Sequence, residues 1–295
     1  MRRIALFLLT NILVLVLVGT VFRIFGLEQY LYQRGVHLDL GALLIFSAVM
    51  GFAGSFISLV LSKPMAKLFT RARVITRPSS DDEAWLLSTI ERLARQAGIG
   101  TPEVAVYQSP DLNAFATGAR RNNALVAVST GLLGNMRKDE IEAVLGHEIS
   151  HVANGDMVTM TLLQGVMNTF VVFLSRIVGY FVDRVILRNE RGHGLGFFLT
   201  TMITQIALGI LASMVVMWFS RRREFRADAG AASLVGADSM VAALQRLKVA
   251  HDEPADLPDS VNAFGIRGGK SWLKLFMSHP PLDERIAALR AIPRP

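Results

Sequence analysis

A chain of 295 residues that is 52% hydrophobic, with positive mean hydropathy, carries more apolar side chains than one soluble domain needs, and so implies membrane segments beside a modest soluble part. It has no cysteine, which excludes disulfides and thiolate metal sites and leaves any metal to His, Asp or Glu. Its net charge of +7 sits beside the apolar runs, which reads as membrane topology and argues against nucleic acid as a partner.

In chain order, residues 4–22 form the first apolar run, after Met1-Arg2-Arg3. A helix of that length reaches roughly 28 Å at about 1.5 Å per residue, enough for a hydrocarbon core of about 30 Å. Val18, Gly19 and Thr20 give way to bulky Val21 and Phe22, so no small-residue cleavage site follows and the run reads as an uncleaved anchor. Residues 40–61 are the second run. Lys63, Lys67, Arg71, Arg73 and Arg77 follow it without one acid between them, which marks the cytoplasmic side.

Ser80-Asp81-Asp82-Glu83 is a capping-box pattern that opens a helix, with Trp85, Leu86, Ile90, Leu93 and Ala97 at helical spacing and Gly98 closing it. Residues 104–107 and 124–128 read as short strands, separated by a stretch rich in turn formers. Residues 138–154 predict a helix whose apolar arc is Ile141, Val144, Leu145, Ile149 and Val152. A third apolar run starts at Met157 and reaches about Leu174, and a fourth covers residues 195–219. In the third run Gln164 and Asn168, with Ser175 and Arg176 further along, form a polar stripe. It fits either hydrogen bonding between helices or a re-entrant segment beside a wet cavity. Arg221, Arg222, Arg223 and Arg226 then repeat the cytoplasmic signal. Helices are expected at 221–235, 240–251 and 281–291, with a Pro-, Asp- and Gly-rich loop at 252–271.

The pattern yields a mainly helical α+β integral membrane protein with about four hydrophobic helices and a small β-sheet in a cytoplasmic domain. Its expected divisions are an N-terminal membrane hairpin (1–62), the first soluble part (63–156), a second hairpin (157–220) and the second soluble part (221–295).

The predicted helix 138–154 carries His-Glu-x-x-His. Positions four apart share a helix face, so His147 and His151 can hold one Zn²⁺ while Glu148 serves as general base for a water. The two histidines sit at the border of the apolar arc, where a cleft can open. A catalytic zinc needs a third protein ligand. In SRRREFRADAGAA, residues 220–232, Glu224 and Asp228 also stand four apart. Glu224 can ligate, and Asp228 can accept a hydrogen bond from the outer nitrogen of a ligating His. The plainer reading of that pair is a solvated acidic face with arginine neighbours. The topology favours the first, because one helix enters the membrane hairpin and the other leaves it on the same side. His37, His193 and His251 lack partner motifs and read as surface or packing residues.

GHEISHVANGD (146–156), EFRADAGAA (224–232), NAFATG (113–118) and SHPPLDERI (278–286) together resemble the HtpX-type heat-shock membrane proteases. These belong to the wider zinc metallopeptidase family that includes the CAAX prenyl endoprotease. The resemblance covers nearly the whole chain. It implies a gluzincin-like zinc protease domain with one zinc held by His147, His151 and Glu224, Glu148 as base, and Asp228 behind the ligands. It also implies endoproteolysis of membrane or misfolded proteins in quality control at the bacterial inner membrane, with the active site facing the cytoplasm. An AAA-type membrane protease as a partner is a family-level expectation. Asn113, Ala114 and Phe115 resemble the family's edge segment for extended substrate, against a plain Asn-rich turn. His279 and Arg285 fall in its C-terminal His-Pro motif. There they are expected to serve catalysis and substrate binding by stabilising the oxyanion, against a bland helix start with Arg285 solvated.

Two rival readings remain on the residues alone. An intramembrane-cleaving metalloprotease would set the motif inside an apolar run, and RKDEIEA at 137–143 is too polar for that. A non-enzymatic membrane scaffold or transporter subunit would make His-Glu-x-x-His accidental and leave the other three motifs unexplained.

Overall fold

The structure, a computed structural model, describes residues 38–189, 194–252 and 279–292, with a few positions nearer the N-terminus. The chain divides into two compact units. One takes residues 1–58 and 158–216, the other 59–157 and 217–295.

Among the described residues, three helices are long and apolar enough to cross a membrane: α1 (Leu40–Thr70), α5 (Asp156–Phe181, prolonged by a π-turn over Val182–Ile186) and α6 (Leu195–Val235). Ile45, Ile203 and Leu211 stay exposed along them, as side chains do where hydrocarbon is the solvent. Residues 4–22, the expected first run, fall almost wholly outside the described residues. Within the membrane unit the polar stripe is a contact between helices. Gln164 donates to Asn168 Oδ1 at 2.9 Å, and Asn168 lies 3.5 Å from Ser55 Oγ on α1. The third and fourth runs are longer as helices than as apolar stretches. The 31 residues of Asp156–Ile186 and the 41 of Leu195–Val235 exceed the roughly 20 that a span needs. Buried Asp183 accepts N–H groups from Gly194 (3.1 Å) and Phe197 (3.2 Å) at the start of α6.

The other unit is α+β. Its sheet has the order β1-β2-β4-β3, from β1 (Arg73–Val74), β2 (Glu103–Tyr107), β3 (Ala114–Thr117) and β4 (Leu125–Ser129). β2 and β4 run parallel, β3 lies antiparallel to β4, and β4 is buried throughout because both faces are covered. Around the sheet pack α2 (Asp81–Gln96), α3 (Thr130–Asn135), α4 (Lys138–Asn154), α7 (Ala237–Asp252) and α8 (Leu282–Arg290). Ser80 caps α2 by accepting the Glu83 N–H at 3.2 Å, and Gly98 turns the chain after it with φ +67°. The core joins Leu86, Ile90 and Leu93 of α2 to Val126 and Val128 of β4, Leu145 and Ile149 of α4, and Leu244 of α7.

Four elements differ from the sequence reading. β1 has two residues, too few for any periodicity, and α3 is a single short turn region capped by Ser129. β3 occupies part of the stretch that composition marks as turns, and its pairing with β4 overrides that local signal. The predicted helix at 221–235 is the end of α6, continuous with the fourth apolar run.

Candidate metal centre

Glu140 accepts the Arg137 N–H at 2.9 Å and so fixes the start of α4, and Gly155 ends it in the left-handed region at φ 71°. Between them the apolar arc is buried as expected, and His147 and His151 lie one turn apart, both 6% exposed. α6 crosses α4 closely because the contact is made by small residues. A Cβ on Gly230 would stand 2.5 Å from Ser150 Oγ, too near for any larger side chain. This approach brings Glu224, 1% exposed, to the two imidazoles.

The donor atoms converge. His147 Nε2 and His151 Nε2 are 3.1 Å apart, His147 Nε2 is 3.4 Å from Glu224 Oε2, and His151 Nε2 is 3.3 Å from Glu224 Oε1. Ligands bound tetrahedrally to one ion at about 2.0–2.1 Å stand roughly 3.3 Å from one another, so this donor set fits zinc. The outer nitrogens complete the fit. His147 Nδ1–H donates to Asp228 Oδ1 at 2.8 Å, and His151 Nδ1–H donates to Asp156 Oδ2 at 2.7 Å. Both Nε2 lone pairs then face the carboxylate of Glu224, an arrangement of acceptors that calls for a cation. The protons respond to the same field. Burial disfavours a charged His151, yet Asp156, Glu224 and Glu148 outweigh it and raise the imidazole to about 9. His147 shifts upward against burial in the same way, through Asp228 and Glu224.

Asp228 does more than face His147. Arg285 grips it side-on, with Nε to Oδ2 at 2.8 Å and Nη2 to Oδ1 at 2.6 Å, and the guanidinium is 8% exposed. The solvated reading of Arg285 does not describe this position. Its Nη2 lies 3.4 Å from His147 Nδ1 and its Nη1 3.8 Å from Glu224 Oε2. His279 remains largely exposed and meets the cluster through Nδ1, 2.7 Å from Glu224 Oε2.

Glu148 points at the sheet. Its Oε2 accepts the Ala116 N–H at 2.8 Å, which ties one oxygen and leaves Oε1 without a hydrogen bond among the described residues. That bond also shows how β3 is turned. The Asn113 carbonyl takes the Ser129 N–H at 2.9 Å, so alternate residues Asn113, Phe115 and Thr117 direct backbone groups to β4. Ala114 and Ala116 direct theirs to the open edge of the sheet. Of Asn113, Ala114 and Phe115, only Ala114 therefore presents main-chain groups outward. A cleft of about 130 Å³ lies against the cluster, with Leu112, Val144, Met240 and Leu244 on its apolar side.

Asp156 and the Ala116 N–H are the two participants that sequence reasoning missed. Asp156 stands within GHEISHVANGD, directly after the glycine that ends α4. A carboxylate just past a left-handed turn, five residues beyond a ligating His, was the available signal.

A family model described as peptidase family M48 matches residues 80–293. The chain is similar over its whole length to the Protease HtpX of Thioalkalivibrio sulfidiphilus, with 59% identity and 100% of each chain covered. It is also similar to that of Alkalilimnicola ehrlichii, with 61% identity over 98% of each. Among solved structures, the crystal structure of S. mikatae Ste24p shares the fold, with a TM-score of 0.62 at 20% identity over 97% of this chain and 67% of that one. The donor set and these full-length relatives agree, and the chain belongs to peptidase family M48 as a membrane-bound zinc metalloprotease.

Proposed function

We propose that His147, His151 and Glu224 hold the zinc and that Glu148 is the general base of a membrane-bound endopeptidase. The observation that carries this is the pair of Nε2 atoms 3.1 Å apart, each with its Nδ1 fixed by a buried carboxylate. Zinc, when bound, polarises a scissile carbonyl and makes water nucleophilic near neutral pH. Glu148 takes the proton on Oε1, the oxygen not held by Ala116, and passes it to the leaving amine. Asp228 and Asp156 fix the tautomers of the two histidines, and Arg285 fixes Asp228. His279 stands at the rim beside Glu224, where its exposed imidazole stabilises the oxyanion.

Substrate adds to the open edge of β3, with Ala114 exchanging hydrogen bonds with it and the apolar side of the smaller cleft receiving the side chain after the cut. Detergent-purified protein is expected to cleave casein with zinc and to stop with a chelator. Asp156→Ala should weaken zinc binding by roughly 10–100-fold, read by equilibrium metal competition as well as by the zinc needed for activity. Unchanged zinc affinity in that variant would remove Asp156 from the site.

The basic residues after α1's apolar part and at 221–226 support a multi-pass protein of the bacterial inner membrane, with the protease unit on the cytoplasmic face. The division into membrane hairpins at 1–62 and 157–220, with protease parts at 63–156 and 221–295, accompanies that topology. Because the chain has no cysteine, single cysteines placed at Arg77 and Asn122 test it cleanly. In intact spheroplasts they should resist an impermeant maleimide and react only after permeabilisation. Labelling without permeabilisation would reverse the orientation. On the cytoplasmic face the substrates are membrane or misfolded proteins, in keeping with quality control, and an AAA-type membrane protease is the companion that the family resemblance suggests.

A further inference from the structure

The protease unit holds a second, larger cleft of about 800 Å³, walled by the loop at 110–112, Asn135 at the end of α3, residues 246–250 of α7 and the start of α8. Leu112, Leu247, His279 and Arg285 line this cleft and also the smaller one against the zinc ligands. The two thus adjoin across these side chains, and no step assigned above uses the larger one.

The sheet edge gives the direction in which a substrate reaches it. Antiparallel pairing lets one substrate residue exchange both main-chain hydrogen bonds with Ala114, and it sets the substrate opposite in direction to β3. β3 runs from Ala114 to Thr117. A peptide paired antiparallel therefore enters beside Ala116 and Glu148 and leaves past Ala114 toward Leu112 and Pro110. These last two residues are where the larger cleft begins. Its size lies within the roughly 300–1,000 Å³ of sites that enclose whole ligands, well beyond the smaller cleft. Its walls are mixed. Leu112, Leu247 and Leu282 are apolar, the prolines Pro110, Pro280 and Pro281 have no N–H to satisfy, Lys248 is paired with Asp283 at 2.6 Å, and Arg246 donates through Nε to the Asn135 carbonyl at 3.2 Å. Such walls suit extended polypeptide of varied sequence better than one small ligand.

We propose that this cleft receives the substrate residues on the C-terminal side of the scissile bond, so that the enzyme favours bonds followed by several residues. The inference rests on the assignment of Glu148 and the zinc ligands above. Its test uses fluorogenic peptides with a constant sequence before the cut and one, two, three or four residues after it, hydrolysed by the zinc-loaded, detergent-purified full chain. We expect kcat/KM to rise at least about tenfold from the shortest to the longest. Asn135→Trp and Ala250→Trp fill the cleft from two different walls, and each should bring the longest-to-shortest ratio toward one, with bound zinc reporting that the variant is folded. A flat length profile in the parent, or a full rise retained in both folded variants, overturns the cleft while leaving the zinc site standing. Failure to cleave any of the peptides with zinc bound overturns both.

Discussion

Glu148→Gln should keep its zinc and lose about 10²–10⁴-fold in kcat, the range that a positioned general base contributes. The amide oxygen of Gln can still accept the Ala116 N–H that now holds Glu148 Oε2 at 2.8 Å, so the side chain keeps its place. The amide cannot take a proton from water, and that one difference separates chemistry from binding. Casein cleavage and self-cleavage measured beside metal content distinguish the outcomes. Zinc retained with hydrolysis lost identifies the base. Zinc and hydrolysis lost together would make Glu148 a ligand, and activity equal to the parent would return the scaffold reading. Isosteric replacement matters here, because a smaller residue would also release the edge strand from α4 and confound the two effects.

Arg285→Ala is expected to cost about 3–5 kcal/mol of stability, because it strands a buried carboxylate. Asp228 is 2% exposed and shares Oδ1 between the His147 Nδ1–H and Arg285 Nη2, while Oδ2 takes Arg285 Nε. Removing the guanidinium leaves that charge with one imidazole partner. The melting temperature should fall and zinc should bind more weakly, since the carboxylate that orients His147 is free to shift. The double variant Asp228→Ala/Arg285→Ala separates the causes. It should recover part of the stability by deleting the unpaired charge, while zinc affinity stays low. A variant that melts like the parent but shows a raised KM would instead place Arg285 in direct contact with substrate.

Much of the site was legible locally. His147 and His151 share a face because residues four apart stack on a helix, and helical spacing alone put Ile141, Leu145 and Ile149 inward. Glu224 and Asp228 were legible as a pair for the same reason. What linked the two pairs was indirect, the topology of a hairpin that leaves and returns. Arg285 illustrates the limit. It lies 57 positions from Asp228, and nothing within a turn of either residue records that they pair. β3 illustrates it again: AFAT lacks the alternation of a half-buried strand, and its role follows from where β4 runs and which edge remains open.

By itself, then, the sequence determined the apolar helices, the helix that bears His-Glu-x-x-His, the capping of α2 and the family resemblance, all of which depend on spacing along the chain. Only the tertiary structure decided that Asp156 holds His151, that Arg285 lies behind Asp228 and away from solvent, that Ala114 is the outward residue of the edge strand, and that a second cleft adjoins the first. Periodicity fixes which face of an element is apolar. Which polar groups meet across elements depends on close approaches such as that of Gly230 to Ser150, which no single stretch of sequence contains.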